Sequence, residues 1–259
     1  MNPIKGLLKK DYRISRSYFL IWFGAMLLAL FIGIGISNYT NQPAGTFFVI
    51  FLVGLTLVIF QPIMMLSLLN IEGKNQLWLY SPRSSYTLFL SKFAVISIYQ
   101  LLLQLVLSIY GAISIYWYGK EVYEQLSVET FVILVFLVNI SVYLAGIYFA
   151  CWIMFYWTIY NTIKRSPTIK GYRWIILALI YFGYTIIEAL LMQTEFVQNL
   201  IDLYVIDLTA NPLLNFENEQ WNVMFETVPF PITPLIYCTV LALLLFVIST
   251  KLLERKVEV

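Results

Sequence analysis

The chain has 259 residues, of which 61% are hydrophobic, 17% aromatic and only 12% charged. An ordinary soluble domain is about 45–50% apolar and about 25% charged, so a soluble enzyme, a nucleic-acid binder and a disordered tail are excluded and the bilayer becomes the solvent. The formal net charge is +2 and histidine is absent, which removes Ser–His and Cys–His nucleophile pairs and every His-ligated metal or haem site.

The first element is Met1–Ser17. Ile4, Leu7, Leu8 and Tyr12 fall close to one helical face, with Lys5, Lys9, Lys10, Arg13 and Arg16 around it. This pattern predicts an amphipathic helix lying at the cytoplasmic membrane surface, where each basic residue gains about 1 kcal/mol from anionic lipid. Membrane lipid is therefore an expected partner. A first span, Tyr18–Ser37, follows. It is too long for a signal peptide, and Gly35-Ile36-Ser37-Asn38 at its end leads into a polar turn.

A bilayer core about 30 Å thick needs about 20 apolar residues per helix. Five more stretches qualify: Thr46–Leu69, Phe93–Tyr116, Phe131–Trp157, Trp174–Met192 and Pro231–Thr250. None has the period-two alternation of a porin strand. The prediction is an all-α integral membrane protein, one transmembrane domain over residues 1–259 with six transmembrane helices.

Span 2 contains Gln61-Pro62, a predicted kink, because proline removes one backbone hydrogen bond. The internal loop over residues 70–92 is long and mixed in character. Within it Glu72 breaks away from span 2, Gln76, Leu77, Trp78, Leu79 and Tyr80 form an apolar-aromatic cluster, and Ser81-Pro82-Arg83 starts a new helical turn. An apolar cluster expected to face cytosol is a docking surface, unless Trp78 and Tyr80 anchor at the headgroups.

In span 3, Gln100, Gln104 and Ser108 recur every four residues, and span 4 carries Asn139 and Ser141. Such residues join helices to each other or line a cavity. The aromatic residues at the ends of spans 3 and 4 read as headgroup belts. Span 5 holds Glu188 near its outer end, the one ionisable residue within a span, and hence a candidate for a cavity or gate unless it lies wet at the interface. Cys151 and Cys238 both lie in apolar runs and read as separate thiols, since free cysteine behaves as a small hydrophobe.

The stretch 194–229 lies between spans 5 and 6. Phe196, Val197, Leu200, Ile201, Tyr204 and Leu208 recur at three- and four-residue steps, which predicts an amphipathic helix at the outer leaflet, ended by Asn211-Pro212. Glu217, Glu219 and Glu226 follow as an acidic rim.

Basic residues set the orientation. Fifteen of the sixteen lie on one side, in the N-terminal segment, the loops after spans 2 and 4, and the tail after span 6. Lys120 alone lies on the other. Both termini are predicted to be cytoplasmic in a multi-pass cell-membrane protein. No G-x-x-x-x-G-K-[ST] loop is present to cradle phosphates, so any use of ATP needs another polypeptide.

The arrangement resembles the permease subunits of type-2 ABC exporters over essentially the whole chain. The opening L-L-K-K-D-Y-R-I-S-R-S and the run E-G-K-N-Q-L-W-L-Y-S-P are most similar to permeases of small Gram-positive exporters, including those for phenol-soluble modulins and related antimicrobial or cytolytic peptides. The resemblance implies that residues 1–17 are the connecting helix. It makes the segment around Glu72–Tyr86 the coupling helix that seats in a cytosolic ATPase, and Phe196–Leu208 the extracellular helix. It also implies pairing with a second permease subunit along spans 1, 2 and 5, as a homodimer or heterodimer. ATP and Mg would be held by the ATPase partner, with no cofactor or metal in this chain. Gly24, Gly33, Gly35 and Gly183 would let spans approach closely.

The expected function is the transmembrane part of an ATP-driven exporter of an amphipathic peptide or lipid-like substrate. An ion-coupled secondary transporter and a non-transporting scaffold or immunity protein stand as alternatives. The first predicts coupling carboxylates and an inverted repeat, where the sequence offers Glu188 and no evident repeat.

Overall fold

With no water in a bilayer to hydrogen-bond free backbone groups, an apolar run of this length satisfies its N–H and C=O groups within a helix. The computed structural model describes residues 3–41, 44–75, 84–118, 128–165, 170–202, 204–217 and 220–254. Six of its helices are long and apolar enough to cross a membrane. They are α1 (Pro3–Thr40), α2 (Ala44–Asn75), α3 (Ser85–Tyr118), α4 (Val128–Arg165), α5 (Arg173–Met192) and α7 (Thr233–Leu252), and each contains its predicted span almost entirely. A short helix α6 (Glu195–Asp202) and two strands, β1 (Val205–Glu217) and β2 (Gln220–Pro231), lie between α5 and α7.

Two expectations change. The segment 3–17 is helical, but it runs without a break into the first span as part of α1, rather than forming a separate helix. Between Gly6 and Tyr18 its sequence has neither glycine nor proline to end the helix. The outer stretch is helical only to Asp202. Val205–Glu217 and Gln220–Pro231 then pair as an antiparallel hairpin, Val205 opposite Pro231 and Glu217 opposite Gln220, with a bulge between Thr209 and Asn211. The apolar spacing that runs on to Leu208 is helical by period, but Tyr204-Val205-Ile206 and Trp221 to Phe230 are rich in β-branched and aromatic residues. These prefer an extended backbone once a partner strand is present. Proline is tolerated in both strands because a two-stranded ribbon consists of edges.

α2 is the axis of the bundle. Its Phe60, Met64, Met65 and Leu68 join Leu103 and Ile96 of α3 and Ala150 and Met154 of α4 in one buried cluster. Aromatic pairs tie the helices: Trp22 meets Phe60 edge-on at 5.5 Å, Phe19 stacks on Tyr99 at 4.2 Å, and Phe246 receives the edges of Tyr86 and Phe93. α5 is the exception to close packing, with no buried residue.

The helix ends gather into two poles. At one, α1 meets the end of α2 and the start of α3, and Glu254 beyond α7 accepts the Ser85 amide at 3.3 Å. There too, Arg173 at the start of α5 donates to Tyr160 Oη near the end of α4 at 3.1 Å and lies over its ring. This is the basic pole of the sequence. At the opposite pole Asn41, with φ of 51°, closes α1 in the left-handed region that asparagine tolerates, and the Thr46 amide caps on Ser37 Oγ at 2.9 Å. Cys151 and Cys238 are both free thiols.

Candidate functional site

Three polar constellations stand out in this apolar bundle. The first lies at the basic pole. On α1 a four-residue spacing puts Leu7, Asp11 and Ser15 on one face. On α3 the same spacing aligns Leu88, Lys92 and Ile96. The faces meet the last turns of α2 at Glu72. Lys92 Nζ lies 2.7 Å from Glu72 Oε2 and 3.4 Å from Asp11 Oδ1. Lys10 pairs with Glu72 Oε1 and lies 3.7 Å from Asp11 Oδ1, and Ser91 Oγ donates to Asp11 Oδ2 at 2.5 Å.

Asp11, Lys92 and Glu72 are 0%, 1% and 3% exposed. Two carboxylates balance two ammonium groups, the condition under which charge can be buried at all. Glu72 of α2 and Lys92 of α3 are both tied to α1 through Lys10 and Asp11.

Glu72, expected on the docking surface, belongs to this cluster. It is turned inward onto Lys10 and Lys92 and offers no surface to a partner. The other docking residues, Gln76, Leu77, Trp78, Leu79, Tyr80, Ser81, Pro82 and Arg83, lie outside the described residues. Of the residues expected on an interfacial helix, Leu7 and Leu8 pack against the core. Lys9, Arg13 and Arg16 are exposed, Ile4 is 52% exposed, and Lys10 is half-buried in the cluster. Asp11, Ser91 and Lys92 were not singled out as a site. The signal that could have found them is the repeat of four that sets each charge in line with apolar neighbours.

The second constellation is the polar stripe. Gln100 Nε2 donates to the Leu57 carbonyl at 3.2 Å, close to where Pro62 interrupts α2. Gln104 Nε2 donates to the Asn139 carbonyl at 2.9 Å, and Asn139 Nδ2 donates to Ser108 Oγ at 3.0 Å. Gln104, Ser108 and Asn139 line a cavity of about 410 Å³ between α2, α3 and α4, with walls that include Phe51, Leu55 and Val138. The candidate cavity residues therefore divide. Gln104 and Asn139 line the space, whereas Gln100 joins two helices. The cavity occupies the half of the bundle away from the basic pole. α2 thus carries the ion cluster at one end and the cavity wall at the other, with Pro62 between.

The third lies where α4, α5 and α7 meet. Tyr184 Oη donates to Glu188 Oε1 at 3.0 Å. The hydroxyls of Tyr148 and Tyr237 lie 3.1 and 3.3 Å from that of Tyr184. Glu188 is thus placed among side chains of three helices. Among the described residues, no group of three or more His, Cys, Asp or Glu could hold a metal ion.

Of the glycines expected at close approaches, Gly33 is the one that is crowded. A Cβ there would meet Tyr110 Oη at 2.5 Å and Val49 Cγ2 at 3.0 Å, while Gly24, Gly35 and Gly183 have nothing within 4 Å. Gly146 also makes room, because a Cβ there would lie 3.0 Å from the amide carbon of the buried Gln61.

No protein-family profile matches the chain. It is similar end to end to the uncharacterized protein YhcE of Bacillus subtilis (strain 168), 27% identical over 266 positions that span 100% of each chain.

Proposed function

We propose that this chain is the transmembrane permease subunit of an ATP-driven exporter in the cell membrane, with both termini and the basic pole in the cytoplasm. The observation that carries the reading is the buried ion cluster. It ties the end of α2 at Glu72 and the start of α3 at Lys92 to α1, at the pole where a cytosolic ATPase would dock. A push on this pole passes through the cluster to α1, α2 and α3 together.

α2 runs from that cluster past Pro62 to the wall of the largely apolar cavity that holds Gln104 and Asn139. Proline leaves the Val58 carbonyl without its usual helical donor, and Gln100 caps the Leu57 carbonyl beside it. A helix so interrupted bends there, so movement at the cytoplasmic end changes the shape of the cavity. ATP and Mg belong to the separate ATPase subunit. The mixed apolar and amide lining suits an amphipathic peptide or lipid-like substrate. A second permease subunit, identical or related, pairs along α1, α2 and α5. Finer elements of the reading are a coupling helix around 72–86, cytolytic or antimicrobial peptides as cargo, and an extracellular region formed by α6 and the hairpin.

The test is a mild-detergent pull-down of the tagged chain from its native membrane. A stoichiometric soluble ATPase is expected, and Trp78→Ala with Leu79→Ala should lower its recovery without loss of membrane insertion. A folded preparation that brings down no ATPase would overturn the reading in favour of a scaffold or an ion-coupled carrier.

A further inference from the structure

The cluster on α4, α5 and α7 has a direction. Tyr184 has one hydroxyl proton and gives it to Glu188 Oε1. Tyr148 and Tyr237 must then donate into the two lone pairs of the Tyr184 oxygen. All three hydroxyl protons therefore point toward the carboxylate, an arrangement that stabilises an anion.

That anion has no counter-charge. Among the described residues, every ion pair belongs to the cluster at the basic pole, and Glu188 Oε2 accepts no hydrogen bond. Glu188 sits four residues from the end of α5 at Met192, about 6 Å along the helix, and its carboxylate meets Tyr184 one turn deeper. A carboxylate inside a span is costly unless it is paired, less so here than at the bilayer centre. Trp152 meets Tyr184 at 4.6 Å and stacks on Tyr156 at 5.3 Å, giving an aromatic wall of the kind that attracts cations. No residue of α5 is buried, so its flanks are open to the bilayer.

We propose that Glu188 and Tyr184 form a seat for the ammonium headgroup of a cationic amphiphile that enters laterally from the membrane. The free Oε2 accepts the ammonium N–H, and the hydroxyl chain holds Oε1. Trp152 and Tyr156 flank the first carbons of the tail. Binding at this seat needs no ATPase, so it stands or falls separately from the exporter reading.

The test is equilibrium binding of radiolabelled dodecylammonium to the full chain in nanodiscs of an uncharged glycolipid, which offer neither a competing lipid amine nor an anionic surface to hold the ammonium, with empty nanodiscs as background. Dodecanol serves as the neutral headgroup of equal tail. Saturable binding near one per chain is expected, with a preference of about tenfold or more for ammonium, as befits a charge-assisted hydrogen bond. Glu188→Gln should abolish that preference and leave dodecanol binding unchanged. Tyr184→Phe should weaken dodecylammonium binding about three- to tenfold. Equal binding of the two headgroups by the unaltered chain would overturn the proposal, as would equal dodecylammonium binding by the unaltered and Glu188→Gln chains. If the Glu188→Gln chain does not assemble, the headgroup preference of the unaltered chain and the Tyr184→Phe result decide.

Discussion

Lys92 illustrates how a single residue carries two readings. By its number it is one more cytoplasmic basic residue. By its surroundings it is a buried ammonium that holds two carboxylates. Lys92→Met should therefore destabilise the protein by about 3–5 kcal/mol, because it leaves Asp11 and Glu72 buried without their main partner. Lys10→Met should cost less, since the Lys10 side chain is 31% exposed and water screens part of its contribution. Thermal unfolding of the solubilised chain measures both, and equal losses would count against the cluster as described. Adding Asp11→Asn to Lys92→Met should restore part of the loss, as removal of both charges is milder than removal of one.

The polar stripe predicts smaller effects. Gln104→Leu removes a side-chain bond to the Asn139 carbonyl, and such bonds in membranes average about 0.6 kcal/mol. A loss well above about 2 kcal/mol in the same assay would mean that Gln104 does more than join α3 to α4. These residue roles were only half legible. Polarity and four-residue spacing marked Gln100, Gln104 and Asn139. Which of them faces a cavity depends on the rotation of α3 against α2 and α4, which no spacing within α3 fixes.

Among the elements, the glycines of α1 give a controlled contrast. Gly33 faces Tyr110 and Val49 at less than contact distance for a Cβ, while Gly24 has open space. Gly33→Ala should overpack the α1–α2–α3 contact and cost about 1–3 kcal/mol. Gly24→Ala should be neutral or stabilising by up to about 1 kcal/mol, because alanine is the better helix former. Reversal of that order would mean that the α1–α2 approach differs from the one described. Element type was legible wherever the apolar run was long, and span limits agree within a few residues at the opposite pole. It failed over 204–231. There the helical period of the first residues competes with β propensity, and the winner is set by a partner strand some twenty residues later.

At the scale of the molecule, the two poles make a directional prediction. With the basic pole in the cytoplasm, cysteines introduced at Lys120 and Glu217 should react with an impermeant maleimide from outside intact cells. One introduced at Lys251 should react only after permeabilisation. Protection of both outer positions would invert the topology. On the proposed orientation the cavity of α2, α3 and α4 would lie in the outer half and the ion cluster in the inner half, with Pro62 of α2 between them.

What the sequence determined alone was the solvent and the number of crossings. Both follow from sums along the chain: apolar length against bilayer thickness, and basic residues counted loop by loop. It also marked Glu188 as the isolated intramembrane charge. Only the tertiary structure decided what the charges meet. Asp11, Glu72 and Lys92 lie on three helices, far apart in the chain, and whether a charge is buried, paired or free depends on distances of 3–4 Å between helices. Packing sets those distances, and packing involves residues that no local window contains.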